Sequence, residues 1–335
     1  MEYRSFGRTG VQVSPLCLGC MMFGGRTGDA DSARIIDAAL DAGINFLDTA
    51  NVYSRGKSEE ATGKALKANG KRARVFLATK VHGKMADDDP NALGNSRRHI
   101  ASQCDASLAR LQTDYIDLYQ IHRPQWDIPI DETLRAMDDL VRSGKVLYVG
   151  TSTFAAWQVV ESVYVARELG LNRFVSEQPP YNLLDRRIER ELLPAAQNYG
   201  YAIIPWSPLA GGFLTGKYQR AGARPKESRF VEKSDWSDKH FTEPAFHVLD
   251  EIAALAKAKG CTASQLALAW CAQQPGVTSP IIGPRTLEQL TDNLGSLTVK
   301  LTDDDRKKID AFAPPGRATT PYYEADFRAS VHRQV

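Results

Sequence analysis

Four polar side chains stand where strand-like runs of the sequence give way to loops. The run INFL ends at Asp48, and Tyr53 follows in the loop after it. The run FLATK ends at Lys80, and the run YQIH ends at His122. Taken singly, each has an ordinary interpretation, such as a turn cap for the aspartate or a lysine stem that reaches solvent. A lysine at a buried strand end, however, needs a counter-charge, and an aspartate on the neighbouring strand would supply one.

Together these four residue types can donate a proton to a carbonyl oxygen while the carbonyl carbon receives a hydride. Tyrosine in water has a pKa of ~10 and is a poor acid at neutral pH. An ammonium group in contact with a phenol favours the tyrosinate, and a carboxylate keeps that ammonium charged and oriented. A histidine can hydrogen-bond the same carbonyl and fix its direction. The set therefore indicates carbonyl reduction without a metal.

The four positions would meet if the strands form one closed barrel. Eight apolar runs alternate with amphipathic helical stretches, as a parallel (β/α)8 TIM barrel requires, and such a barrel carries its active site at the carboxyl ends of its strands. The competing open sheet would carry the pattern G-x-G-x-x-G, but no two glycines in this chain are separated by a single residue. The apolar runs are PLCLG (15–19), INFLD (44–48), VFLATK (75–80), YIDLYQIH (115–122), VLYVG (146–150), RFVSEQ (173–178), YAIIPW (201–206) and TSPIIG (278–283).

The rest of the chain predicts additions to this barrel and no second domain. YRSFG and VQVS, joined by a turn at residues 8–10, predict an N-terminal hairpin. A long loop separates Trp206 from a helix that begins near Glu243 and is expected to be functional or mobile. LTDDDRKKIDAFA predicts an extra C-terminal helix, followed by a tail at about 314–335 that contains Tyr322, Tyr323 and Phe327. We therefore expect residues 1–335 to form one domain.

Composition excludes several classes of function. The formal charge of +2 gives no electrostatic case for binding nucleic acid or an anionic membrane. No run reaches the ~18 apolar residues of a membrane span, and the N-terminus lacks the apolar core of a signal peptide. Five cysteines without a regular framework favour a reducing compartment. We expect a cytoplasmic protein, and we interpret Cys17 and Cys20 as strand residues because zinc would need two further ligands.

The chain resembles the aldo-keto reductase superfamily over roughly residues 1–315. The resemblance rests on the four residues above and on GINFLDTANVYS, FLATKV, YIDLYQIH, GTSTF, SEQPPYNLLDR, IPWSPLAGGFLTGKY and IIGPRTLEQLTDNLG. Within the superfamily the sequence is most similar to bacterial reductases related to potassium-channel β subunits. The resemblance implies reversible NADPH-dependent reduction of an aldehyde or ketone. It makes Tyr53 the acid, with Lys80 and Asp48 tuning it and His122 orienting the substrate.

The same resemblance implies a site for the nicotinamide end of the cofactor. The side chains that match the partners of the carboxamide are Ser152, Thr153 and Gln178. The family commonly has asparagine at the position of Thr153, so one amide contact would be lost or shortened. Trp206 stands where the family often stacks tyrosine on the nicotinamide, which an indole can replace, although it could also be a core residue. Cys20 and Met21 resemble residues whose backbone contacts the cofactor. Asp48 is also expected to contact the cofactor.

SPLAGGFLTGKY resembles the segment that lies over the cofactor pyrophosphate. The matching contacts are Ser207, Leu209, Gly211 and Lys217. The segment nearly fits the phosphate-loop pattern G-x-x-x-x-G-K-[ST], but Tyr218 stands where that pattern needs a hydroxyl for magnesium. We therefore exclude a nucleoside triphosphatase.

GPRTLEQLTDN resembles the segment that reads the adenosine 2′-phosphate, with contacts at Gly283, Arg285, Gln289 and Asn293. The spacing of four predicts that the last three lie along one helical face. Arg285 at a helix N-terminus would suit a phosphate and favours NADP over NAD. A capping box between Thr286 and Gln289 is the alternative that needs no ligand.

Two questions stay open at the level of sequence. The same cofactor site would serve a redox-sensing regulatory subunit that binds NADPH with little turnover. The substrate is not indicated beyond a small carbonyl compound, although Trp126 in the loop RPQWDIPI suggests an apolar wall for aryl or alicyclic groups. His240 and His247 flank the long loop and are interpreted as packing or surface residues. Nothing in the sequence indicates the oligomeric state.

Overall fold

Short, fully buried runs form the strands of a parallel barrel in the computed structural model, which describes residues 1–221, 224–226, 228–230 and 240–320. Each of the eight predicted apolar runs overlaps one strand of a single parallel sheet, β3 to β10, although β5 and β7 extend beyond their runs by one and two residues. A hairpin of β1 and β2 precedes them. The strands are β1 (Arg4–Ser5), β2 (Gln12–Val13), β3 (Cys17–Gly19), β4 (Phe46–Asp48), β5 (Phe76–Val81), β6 (Ile116–Ile121), β7 (Val146–Ser152), β8 (Ser176–Gln178), β9 (Ala202–Ile203) and β10 (Ile281–Ile282).

The sheet closes on itself. Each strand from β3 to β8 pairs with the next one in the sequence, and β10 pairs with β3. Backbone hydrogen bonds join the two remaining edges: Ile281 N–H donates to Pro205 at 2.8 Å, and Thr278 N–H donates to Ile203 at 2.9 Å. The predicted (β/α)8 barrel is confirmed, and the carboxyl ends of all eight strands surround one mouth.

Helices follow the strands and cover the outside of the barrel. They coincide with the amphipathic stretches of the sequence, and α10 is the predicted extra C-terminal helix. The helices are α1 (Asp29–Asp41), α2 (Lys57–Ala68), α3 (Arg97–Leu111), α4 (Ile130–Arg142), α5 (Ala156–Leu169), α6 (Leu192–Tyr199), α7 (Glu243–Ala258), α8 (Ala263–Ala272), α9 (Leu287–Gly295) and α10 (Asp303–Phe312).

The core has two layers, because alternate residues of each strand face opposite sides of the sheet. The inner layer contains Cys17, Phe46, Phe76 and Leu118, and Phe6 of the N-terminal hairpin closes the bottom of the barrel against it. The outer layer lies between strands and helices and contains Cys20. The two cysteines thus belong to opposite faces of the wall, Cys17 within β3 as predicted and Cys20 directly after its last residue.

The loops and the chain end complete the description. The long seventh loop contains a 3-10 segment, Ala210–Thr215, before α7 begins at Glu243 as predicted. Of the two histidines near it, His240 is buried and His247 is exposed. The aromatic residues predicted in the tail, Tyr322, Tyr323 and Phe327, lie outside the described residues. Among the helices of the described residues, none has both the length and the apolar character that crossing a membrane requires.

Candidate active site

Lys80 lies inside the barrel mouth and is fully buried. Its ammonium donates to Asp48 Oδ1 at 2.5 Å and to the carbonyl oxygen of Thr49 at 2.7 Å. Its third contact is the phenolic oxygen of Tyr53, 3.3 Å from Nζ. The two strands that carry the aspartate and the lysine, β4 and β5, are neighbours in the sheet. The structure therefore brings together the three residues predicted to form the proton-donating group.

The charge of Lys80 is maintained by its partners. Burial lowers its pKa, but the nearby carboxylate of Asp48 and the phenolic oxygen of Tyr53 outweigh this effect and raise the pKa above its ordinary value. A buried ammonium stays charged only where such partners replace the lost water. Lys80 is therefore a fixed cation in contact with the phenol.

A strained turn holds the ring of Tyr53 over the lysine. The turn Tyr53–Gly56 contains three successive residues with left-handed backbone, Ser54 (φ 49°), Arg55 (φ 54°) and Gly56 (φ 92°). Such conformations cost free energy for residues other than glycine and cluster at functional sites. The ring centroid of Tyr53 lies 4.9 Å from the Lys80 Nζ as a result.

His122 follows β6 and faces the same mouth. Its ring lies 5.5 Å from that of Tyr53, centroid to centroid, in an edge-to-face arrangement. Burial, together with the charges of Arg123 and Lys80, holds the pKa of His122 well below its usual range. The imidazole is thus neutral, and one ring nitrogen carries a hydrogen that can be donated to a carbonyl oxygen.

The second oxygen of Asp48 is also fully engaged. Gln120 Nε2 and Gln178 Nε2 each donate to Asp48 Oδ2 at 3.0 Å, and Gln178 Nε2 also donates to Gln120 Oε1 at 3.2 Å. All three side chains are at most 3% exposed. Asp48 and the glutamine predicted to hold the carboxamide therefore share one buried hydrogen-bond cluster.

The other two residues predicted for the carboxamide lie beside this cluster. Ser152 Oγ donates to the carbonyl oxygen of Gln178 at 2.9 Å, and Thr153 Oγ1 donates to the carbonyl oxygen of Ser152 at 2.6 Å. Thr153 adopts a left-handed backbone with φ 60°. Because each hydroxyl keeps lone pairs after donating its hydrogen, both can still accept from an amide N–H. The set fits a primary carboxamide.

The segment after β9, which is predicted to lie over the pyrophosphate, contains several left-handed residues. Four residues within six positions have positive φ: Ser207 (54°), Ala210 (48°), Gly211 (65°) and Gly212 (92°). Backbone hydrogen bonds close this turn, because Ala210 N–H donates to Ser207 at 2.9 Å and Gly212 N–H donates to Leu209 at 2.8 Å. Trp206, which precedes the segment, is half-buried, and the guanidinium of Arg123 lies 6.0 Å from its ring centroid. Leu209 packs partly against the core.

Two cationic side chains follow the neighbouring strands β9 and β10. Desolvation lowers the pKa of Lys217, and the positive charge of Arg285 lowers it further. Lys217 also lies close to the backbone of Gly212, where a Cβ would come within 2.8 Å of Nζ. At Gly283 a Cβ would meet no atom within 4 Å, so the chain is open there. Two cationic side chains are suited to the phosphates of a dinucleotide.

The helix near Arg285 differs in one respect from the prediction. Thr286 is the N-cap of α9, so Arg285 precedes the helix and only Gln289 and Asn293 lie on it. The predicted cap forms in part: Thr286 accepts from Gln289 N–H, but Gln289 Oε1 accepts from Arg285 N–H at 2.8 Å instead of from Thr286. The prediction of one helical face for all three residues was therefore wrong, because the helix begins at Leu287, two residues after Arg285.

Three more residues predicted for the site are Cys20, Met21 and Trp126. Cys20 uses its backbone within the protein, donating to the Asp48 carbonyl at 2.8 Å and accepting from Ser58 Oγ at 2.7 Å, while Met21 is half-exposed. The ring of Trp126 lies 5.5 Å from that of Trp157, which is 47% exposed. Within the described residues, the buried indole N–H of Trp126 has no hydrogen-bond partner. An aromatic wall therefore stands beside the loop that follows His122.

Comparison with known proteins identifies the family to which the chain belongs. The family model described as aldo/keto reductase family matches residues 15–314. The chain belongs to the aldo/keto reductase family. It is 42% identical to an uncharacterized oxidoreductase, YrpG, of Bacillus subtilis, over 96% of this chain and 99% of that protein. It is also 37% identical to a probable voltage-gated potassium channel subunit beta of Oryza sativa subsp. japonica, over 93% of this chain and 96% of that protein.

As a member of the aldo/keto reductase family, the chain carries a buried Asp48–Lys80 pair in contact with the partly buried Tyr53 at the expected end of the barrel. The predicted family resemblance is confirmed. The relatives include both an oxidoreductase and proteins named as channel subunits, so the turnover of this chain is argued from its own residues below.

Sequence reasoning missed Gln120. It lies two residues before His122 on β6, and alternate residues of a strand face the same side of the sheet. A polar residue in phase with His122, inside an otherwise apolar run, was the available signal. The signal was hidden because the sequence does not show which strand residues face the interior.

Proposed function

We propose that this aldo/keto reductase reduces the carbonyl group of a small aldehyde or ketone with NADPH, and that Tyr53 supplies the proton. One observation carries the proposal: the phenolic oxygen of Tyr53 lies 3.3 Å from the ammonium of the buried Lys80. An acid at this position needs a neighbour that stabilises its conjugate base, and a fixed cation does this best where water is excluded. The reaction is reversible, because the same residues can return the proton.

Each residue has a defined task in the reaction. Bound NADPH would supply the hydride that adds to the carbonyl carbon. As negative charge develops on the carbonyl oxygen, Tyr53 transfers its phenolic hydrogen to that oxygen, which becomes the alcohol. Lys80 stabilises the tyrosinate that is left, and Asp48 holds Lys80 charged. The neutral His122 donates a hydrogen bond that orients the carbonyl before transfer.

The cofactor would be held by residues that follow several of the strands. Ser152, Thr153 and Gln178 would bind the carboxamide, and Trp206 would stack on the nicotinamide ring. The backbone near Cys20 and Met21 would also contact the cofactor. Contacts to the pyrophosphate and the adenosine 2′-phosphate would come from Ser207, Leu209, Gly211, Lys217, Gly283, Arg285, Gln289 and Asn293. Arg285 would favour NADP over NAD, since a guanidinium binds a phosphate through paired, charge-assisted hydrogen bonds.

Single-turnover oxidation of bound NADPH by a panel of aldehydes and ketones tests the activity. Cofactor that carries deuterium at the transferred position should deliver it as deuteride, so that one deuterium is bonded to the former carbonyl carbon of the alcohol product. The aromatic wall at Trp126 favours aryl and alicyclic carbonyls over short aliphatic ones within the panel. If no carbonyl compound oxidises the bound cofactor and no deuterated alcohol forms, the proposal is wrong.

A second function deserves the same experiment because of the relatives named as channel subunits. A redox-sensing regulatory subunit would bind NADPH through the same residues and report its oxidation state to a partner with little turnover. The complete set of Asp48, Tyr53, Lys80 and His122 favours turnover. NADPH that binds tightly but is oxidised by none of the carbonyl compounds would favour the sensor instead.

A further inference from the structure

Asp48 is only 3% exposed, so bulk water contributes little to stabilising its charge. Its Oδ1 accepts from Lys80, so its Oδ2 depends on the two glutamine amides described above. Gln120 is placed for this role by the sheet: β6 pairs with β5 so that Gln120 stands opposite Lys80. The glutamine and the lysine thus reach the same carboxylate from neighbouring strands.

We propose that Gln120 is a positioning residue that connects the carboxamide site of the cofactor to the catalytic lysine. This inference rests on the proposed function, which assigns Gln178 to the carboxamide. The orientation of the two amides follows from the chemistry of the groups, because a carboxylate can only accept hydrogen bonds, whereas an amide both donates and accepts.

The charge of Asp48 fixes the orientation of both amides. Gln120 must turn its nitrogen toward Oδ2, which leaves its oxygen facing Gln178. Gln178 must also turn its nitrogen inward, because that nitrogen meets Oδ2 on one side and the Gln120 oxygen on the other. The choice between nitrogen and oxygen in each amide is therefore set by hydrogen-bond complementarity. The one group that Gln178 can turn toward a ligand is its amide oxygen, an acceptor for the N–H of a carboxamide.

Gln120 thus performs two tasks through one side chain. It keeps Oδ2 occupied so that Oδ1 stays on Lys80, and it locks Gln178 with its acceptor toward the cofactor. Without Gln120 the amide of Gln178 loses one of its two constraints, and the carboxylate loses one of its three side-chain donors. A hydrogen bond to a buried charge is worth about a factor of ten or more in an equilibrium constant.

Binding of two ligands by the Gln120→Met variant separates positioning from general damage. Methionine fills a similar volume but cannot hydrogen-bond in this way. NADPH should bind about tenfold more weakly to the variant than to wild-type protein. The 2′-phosphorylated form of ADP-ribose lacks nicotinamide, and its affinity should not change. Equal weakening of both ligands, or no weakening of either, would overturn the inference.

A second variant, Gln120→Glu, provides a readout that a merely structural role would not change. A protonated glutamate can donate to Asp48 Oδ2, whereas an ionised one repels it. Hydride transfer by this variant should therefore approach that of the wild type at acid pH and fall as pH rises. A pH profile that matches the wild-type profile in shape would contradict the role of Gln120.

Controls keep the failure of this inference distinct from failure of the proposed function. Gln273→Met removes a partly buried glutamine that donates to the Val299 carbonyl, far from the mouth, and should change neither ligand affinity nor the pH profile. Melting temperatures are recorded for every variant. If wild-type protein binds NADPH but transfers no hydride, the proposed function fails, while the two binding constants still decide the role of Gln120.

Discussion

At the scale of single residues, the feature that governs the site is a lysine with no exposed surface. Burying an ammonium costs several kcal/mol, and this cost is offset only by partners in good geometry. Lys80 has three, Asp48, Thr49 and Tyr53, and cannot reach solvent to exchange them. Its charge is consequently fixed beside the phenol in every state of the barrel that keeps β4 and β5 paired.

A second residue with a defined task is Arg285, which should distinguish NADPH from NADH. We expect Arg285→Ala to weaken NADPH about tenfold to a hundredfold, the worth of a charge-assisted hydrogen bond, and to leave NADH nearly unchanged. Fluorescence titration with both cofactors measures these affinities.

Lys217→Ala should weaken the binding of both NADPH and NADH, since the pyrophosphate is common to them. Arg34→Ala is the matched control, because Arg34 forms an exposed ion pair on α1. Equal weakening of NADPH and NADH by Arg285→Ala would mean that the arginine does not read the 2′-phosphate.

At the scale of elements, the turns that follow the strands are held by buried groups beneath them. Glu177 on β8 is fully buried and supports the turn between β7 and α5. It accepts from Thr151 Oγ1 at 2.5 Å and from the N–H of Phe154 at 3.1 Å. Thr153, with its left-handed backbone, lies between these two contacts. The carboxyl group therefore fixes the turn that carries two of the residues predicted for the carboxamide.

The titration of Glu177 should make this turn sensitive to pH. Burial raises the pKa of Glu177 from 4.5 to about 8, although the hydrogen bonds from Thr151 and Phe154 act in the opposite direction. Because the folded pKa is raised, the stabilising contribution is fully present below pH 4.5 and is lost as pH rises through 8. The loss that corresponds to this pKa difference is on the order of 5 kcal/mol in the free energy of unfolding.

Melting temperatures of wild-type protein and Glu177→Gln between pH 5 and 9 check this prediction. Glutamine can accept from Phe154 N–H and donate to Thr151, but it does not titrate. The wild type should lose stability with rising pH relative to the variant. Two melting curves that run parallel across this range would show that Glu177 does not titrate as its burial requires.

At the scale of the whole molecule, the barrel and the four candidate catalytic positions could be predicted from the sequence. The strands were recognisable because each apolar run is short, is followed by a loop and alternates with a helical pattern of the right length. Helix ends were recognisable because Gly43 and Gly144, which end α1 and α4, have positive φ. Asp48, Lys80 and His122 could be placed because a barrel brings all strand ends to one mouth.

Two details of the site could not be predicted, for physical reasons. The proposed role of Gln120 depends on its position opposite Lys80, and this pairing joins two strands that are separated in sequence by α3. The spacing of Arg285, Gln289 and Asn293 predicts that Arg285 lies on α9. Threonine is a good N-cap residue, however, and Thr286 caps a helix that begins at the following residue. In both cases the deciding interaction lies between segments or at a boundary, where sequence patterns carry least information.

The central claim for the whole molecule is that the barrel exists to hold the phenol of Tyr53 against a buried cation as a proton donor. Single-turnover hydride transfer by Tyr53→Phe tests this most directly, with Tyr3→Phe as the control for loss of an exposed phenol. The account predicts that Tyr53→Phe binds NADPH as the wild type does and transfers hydride about 10²- to 10⁴-fold more slowly. Transfer at the wild-type rate in Tyr53→Phe would contradict it.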